Sequence, residues 1–102
     1  MKSYDVSLHT PIGKRKGEMQ VNIEDGKLIG FLTLFRNTEP LSGSIDENGE
    51  CTLKGKFITL LKPVYFTATG KIHDEDLQLV LKCECGNYKM LGSSQKGKEA
   101  GI

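Results

Sequence analysis

Apolar residues return at every second position along most of this chain, in short runs separated by Gly, Asn, Asp or Pro. Side chains at i and i+2 of an extended segment point to one face, so this period marks half-buried strands, whereas a helix facing a core repeats near 3.6. Near 3–10, Tyr4, Val6 and Leu8 alternate with Ser3, Asp5, Ser7 and His9, and after "TPIGKRKG", expected as a turn, Met19, Val21 and Ile23 alternate with Glu18, Gln20, Asn22 and Glu24. "EDGK" then predicts a tight hairpin, because Asp-Gly supplies the positive φ of a type I′ turn. The third run, "KLIGFLTLF", is apolar on both phases, and a short fourth covers Leu41 to Ile45. A fifth alternates Cys51, Leu53, Gly55 and Phe57 with Thr52, Lys54 and Lys56, and Pro63 ends it. The sixth points Val64, Phe66, Ala68, Gly70 and Ile72 inward, the seventh Leu77, Leu79, Leu81, Cys83 and Cys85, and the last carries Tyr88 and Met90.

One segment also carries the punctuation of a helix: in "HDEDLQLVLKCECG", Asp74 suits an N-cap and Gly86 a C′ position. A helix would bring Glu84 onto the face of Leu77, Val80 and Leu81, whereas the strand reading leaves every odd position from 77 to 85 apolar, so a strand is expected. A sheet with one apolar face must cover it, and without helices only more sheet can do so. Short turns join nearly all the runs, which predicts an all-β fold: a small antiparallel up-and-down barrel of about eight strands, with a sandwich as the alternative. An apolar residue followed two positions later by Gly recurs as "LIG" (28–30), "LSG" (41–43), "LKG" (53–55), "ATG" (68–70) and "MLG" (90–92), and repeated strand glycines point to barrel corners or close backbone approach. At fold level the pattern resembles the small meander barrels of the calycin type, although the G-x-W signature of lipocalins is absent from a chain without Trp. The expected organisation is one barrel domain over residues 1–92 with a frayed tail over 93–102.

The 102 residues carry 14 Lys and Arg against 13 Asp and Glu, so the overall balance gives no reason to expect nucleic acid or a membrane as partner, and only local patches can argue for either. "MKSYDVSLHT" lacks the apolar core of a signal peptide, and no run approaches the ~18 apolar residues of a membrane span, so a soluble, cytoplasmic protein is expected. The cysteine count of 3 is odd, which does not fit a disulfide framework. Cys51, Cys83 and Cys85 all fall on inward phases and both His on outward ones, so the cysteines are expected as small core side chains, with no metal and no cofactor.

Catalytic motifs are absent: there is no G-x-S-x-G, H-E-x-x-H or phosphate-cradling glycine loop, and "HDED" has the composition of a solvated turn. The basic "TPIGKRKG" is expected as a wet hairpin tip, with phosphate binding as the other use of its charges. A barrel of about eight strands has room for one small ligand where inward residues are small. The predicted function is therefore a small-molecule binding module for an apolar ligand lined by Tyr4, Phe57, Phe66, Ala68, Cys83, Cys85, Tyr88 and Met90. Two alternatives stand beside it. Lys54, Lys56, Tyr65, Lys71, Lys82 and Lys89 share the outward phase of four strands, as a single-strand nucleic-acid binder would require, but with one clear aromatic among them a solvated basic face is the better reading. The other is an assembly module with a filled core, and in either case the two-faced third strand predicts a homodimer, because Ile29, Phe31 and Phe35, extended by Ile58 and Leu60, would face outward and pair the chain with itself.

Overall fold

The computed structural model describes residues 1–84 and 86–95. Its eight strands are β1 (Lys2–Thr10), β2 (Gly13–Glu24), β3 (Lys27–Leu34), β4 (Asn37–Ile45), β5 (Glu50–Ile58), β6 (Pro63–Ile72), β7 (Asp76–Cys83) and β8 (Gly86–Ser94). Each pairs antiparallel with its sequence neighbours, and β1 also pairs with β8, from Tyr4 opposite Ser94 to His9 opposite Lys89, which closes an up-and-down barrel rather than a sandwich. The 74–86 segment is β7 and its turn, not a helix, because Leu77, Leu79 and Leu81 must all reach the interior. Cys85 lies outside the described residues.

The turns show where propensity was a good guide and where it was not. Asp25 and Gly26 have φ of 51° and 77°, the two-residue hairpin that Asp-Gly predicts. Phe35 and Arg36 adopt the same conformation with φ of 53° and 65°, although neither residue favours it. The pairing of Leu34 with Asn37 leaves two residues for the connection, which restricts it to a primed turn, and the Asn37 side-chain amide donates to the Phe35 carbonyl at 3.0 Å. β4 therefore begins at Asn37 instead of Leu41, and Phe35 sits in the turn rather than on β3. "TPIGKRKG" is likewise not a loop: only Pro11 and Ile12 turn, and Lys14, Arg15 and Lys16 of β2 pair with His9, Leu8 and Ser7 of β1. At the other terminus β8 runs past the expected boundary at 92, since Ser94 N–H donates to the Glu75 carbonyl and Gln95 N–H to that of Ser3.

The inward set forms one core from Tyr4, Val6 and Leu8 round to Leu77, Leu79, Leu81 and Met90. The repeated glycines explain how eight strands close around so many leucines. Inward Gly30 pairs with Val21 and Leu41, Gly43 with Leu28 and Leu53, and Gly70 with Cys51 and Leu79, so a missing side chain meets a larger apolar one across the ladder. A Cβ on Gly30 would lie 1.9 Å from the Gln20 carbonyl oxygen, one on Gly43 2.0 Å from that of Thr52, and one on Gly70 2.0 Å from that of Gln78. These are backbone contacts that a rotamer change cannot relieve, so each glycine lets its strand bend inward over its neighbour.

Because connections alternate, the barrel has two distinct ends. The upper end carries the Pro11–Ile12, Phe35–Arg36 and Thr59–Lys62 turns together with Glu84, and the lower end carries the chain start and the Asp25–Gly26, Asp46–Gly49 and His73–Glu75 turns. The barrel's bend is tested at Gly43, whose backbone φ needs no glycine. Gly43→Ala should lower the unfolding free energy by about 1–3 kcal/mol in urea denaturation, while Ser44→Ala on the exposed outer face should stay within ~0.5 kcal/mol of wild type. An unchanged midpoint for Gly43→Ala would show that the strands separate there at no cost.

Candidate functional site

The residues expected to line a ligand do not gather in one place. Tyr4 is at the lower end, where its hydroxyl donates to the His73 carbonyl at 2.6 Å. Ala68 lies mid-barrel between Leu53 and Leu81, and Met90 between Leu8 and Leu79. Phe57 and Phe66 meet edge to face near the upper end at 5.9 Å, and Cys83 and Tyr88 pack half-buried against the core there. They span the whole length of the lumen and belong to, or lean on, the single core cluster. Among the described residues, five depressions are open grooves of the outer wall and rims.

The cysteines are separated in the same way. Cys51 is at the lower end of β5, opposite Gly70, while Cys83 is at the upper end of β7, where its thiol donates to the Gly86 carbonyl at 3.3 Å. Burial, with Asp46 nearby, pushes the Cys51 thiol from 9.0 up to about 11, which leaves it protonated and unreactive at neutral pH. Among the described residues no group of three or more His, Cys, Asp and Glu side chains is placed to hold a metal ion. "HDED" is the exposed β6–β7 turn, with Lys2 on the Asp74 carboxylate.

The outer surface is more informative, because its charges are sorted by end. The lower turns hold Glu24 and Asp25, then Asp46, Glu47 and Glu50, then Asp74, Glu75 and Asp76, with Lys2, Lys27 and Lys71 as the nearby cations. The upper end holds Lys14, Arg15 and Lys16, Arg36 and Lys62. Carboxylates near it are already engaged: Glu84 with Lys62 at 3.5 Å and Glu39 with Lys56 at 3.3 Å. The formal net charge of +1 thus conceals an acidic and a basic pole.

The basic pole is also tipped with apolar side chains. Ile12 is 79% exposed, Leu61 93% and Leu60 completely so. The β5–β6 tip is held in shape by Thr59, whose hydroxyl accepts from the Leu61 and Lys62 N–H groups at 3.2 and 3.1 Å and donates to the Lys62 carbonyl at 2.9 Å. With the hydroxyl bonded to three backbone groups, the turn is fixed with both leucines pointing into solvent. Phe35 lies between, stacked on Phe57 at 5.8 Å so that it half-covers the mouth of the barrel.

The expected self-pairing residues therefore divide. Ile29, 60% exposed, and Phe31 stand on the outer wall of β3, with Pro40 across the ladder from Phe31. Phe35, half-buried Ile58 and Leu60 belong to the upper end. Of the lysine-rich set, Lys54, Lys56, Tyr65 and Lys82 line one shallow groove with Pro40 and Thr67, and the Lys56 ammonium sits 5.8 Å over the Tyr65 ring. Lys71 and Lys89 lie outside that groove. Ile12, Leu61 and Arg36 carried no signal of their own in the sequence, and it is the alternation of turns between two ends that brings "KRK", Arg36 and Lys62 to one end.

No family model matches the chain, and neither does any curated protein. Among solved structures it is similar to a redesigned β-barrel, with a TM-score of 0.60 and 11% identity over 90% of this chain and 86% of that one. At that identity the likeness concerns the fold.

Burial also raises the Tyr4 phenol, against the opposing charge of Lys2. Cys51 and Tyr4 thus both have folded pKa values above their unfolded ones, so their contribution to stability is complete below the unfolded values of 9.0 and 10.0 and is lost as pH rises through the folded ones. Melting temperature should fall as pH is raised from about 8 to about 11, and less steeply in Cys51→Ala. Parallel curves for the two proteins would show that Cys51 plays no part.

Proposed function

We propose that the protein is a non-catalytic binding module that docks its upper end on an anionic partner. The observation that carries this reading is the coincidence of solvent-exposed apolar tips with a basic rim at one end of a charge-polarised barrel. A molecule with almost no net charge but opposed poles approaches a negative surface in one orientation, basic end first. Large apolar side chains at that end then meet the partner, where their burial is worth roughly 25 cal/mol per Å². The interior supports the scaffold. A small apolar guest, the occupant expected from the sequence, would have to pass Phe35, Phe57 and Phe66 and displace packed side chains, so the outer surface is the better-supported site.

Retention on a sulfonate cation-exchange surface tests the orientation. Lys14→Glu with Lys62→Glu should elute much earlier than wild type, while Lys27→Glu with Lys71→Glu, an equal change in formal charge at the lower end, should shift far less. Equal shifts for both pairs would mean that the charge separation does not orient binding.

Self-association is a second reading, favoured by Ile29 and Phe31 side by side on the β3 wall. Two symmetric copies covering these side chains would offset part of the entropy of association. Wild type should then sediment as a dimer at micromolar concentration and Phe31→Glu as a monomer; a monomeric wild type removes this reading and leaves the first intact.

A further inference from the structure

We propose that the anionic partner is an acidic phospholipid bilayer, on which the barrel stands with Ile12, Leu60 and Leu61 inserted between the headgroups. The inference rests on the docking role of the upper end and adds the identity of the surface. The argument comes from the kind of apolar group presented. Phosphate-rich polymers offer charge to lysine and arginine, but they give aliphatic tips nothing to enter, and single-stranded nucleic acids are gripped by aromatic faces on which bases stack. Of the aromatic rings towards this end, Phe35 is already stacked on Phe57, and Tyr65, exposed on the β6 wall, carries the Lys56 ammonium 5.8 Å over its ring. Branched aliphatic side chains on a rigid tip are suited to the boundary between headgroups and acyl chains, where an inserted apolar face reaches about 5–10 Å deep.

Each apolar tip has a cation close by in sequence, available to a headgroup phosphate. Ile12 is followed by Lys14 and Arg15, Leu60 and Leu61 by Lys62, and Arg36 stands beside Phe35. The Lys62–Glu84 pair, 3.5 Å apart and exposed on both sides, is weak enough to exchange for a lipid phosphate. The acidic lower end would be repelled from the same surface, which keeps the barrel upright. Outward positions of the wall carry residues such as Asp5, Glu18, Gln20 and Lys54, not the continuous apolar band of a spanning barrel, so the molecule rests on the bilayer without crossing it.

The full chain is to be co-sedimented with vesicles of phosphatidylcholine alone and of phosphatidylcholine with an equal part of phosphatidylserine. Binding to the acidic vesicles at low salt is expected to be at least about tenfold tighter than to the neutral ones. Leu60→Ser with Leu61→Ser, which touches no core residue and leaves the charge unchanged, should weaken that binding roughly tenfold or more while leaving sulfonate retention as in wild type. Leu61→Trp should show a blue-shifted emission on acidic vesicles, whereas Ile29→Trp on the wall should not. Three results overturn the proposal: no binding to acidic vesicles, unchanged vesicle binding by the Leu60/Leu61 variant, or single-stranded oligonucleotide bound more tightly than vesicles. If oriented sulfonate retention persists in these cases, the anionic docking role survives and only the bilayer is wrong; if it also fails, both fall.

Discussion

Closure of β1 on β8 is the constraint on which the rest of the molecule depends. It pairs the two strands that would otherwise expose backbone donors and acceptors at a sheet edge, and it forces every inward side chain into one shared interior. Eight strands can curl that tightly only where something gives way on the inside. Gly30, Gly43 and Gly70 supply the space, each lying against a neighbouring backbone so closely that a methyl group would not fit. The leucines opposite them fill what the glycines vacate. Bend and packing are thus one arrangement.

With the inward side chains gathered into one core, the meander topology decides what the outside presents. In an up-and-down barrel, alternate turns collect at opposite ends, so a chain whose turns alternate between basic or apolar and acidic residues becomes a molecule with two poles. Neither the summed charge nor any local motif expresses this. Thr59 shows how the chemistry is set in place: a hydroxyl bonded to three groups of its own turn holds Leu60 and Leu61 in water, against the tendency of such residues to fold back on the barrel.

Much of the fold was legible because barrel strands write their orientation into the sequence with a period of two, and the apolar-x-Gly dyads mark the bends. Strand ends were less legible. The Phe35–Arg36 turn carries no turn-favouring residue, since its conformation is imposed by the pairing of Leu34 with Asn37, and the basic run 14–16 resembles a loop until its pairing with β1 is known. Membership of the inward phase is not proximity along the barrel. Tyr4 and Phe57, or Cys51 and Cys83, share the lumen yet stand at opposite ends of it, because the phase of a residue says which side it faces and not how far along the barrel it lies.

The sequence by itself determined the all-β class, the alternation that names the core, and the glycines that permit closure, because each follows from contacts between near neighbours along or across adjacent strands. Only the tertiary structure decided that the expected ligand-lining set is spread through a packed core, that the cysteines are apart, and that Ile12, Leu60 and Leu61 share a rim with Lys14, Arg36 and Lys62. Those relations depend on register and on which end each turn occupies, and both are set when the last strand pairs with the first.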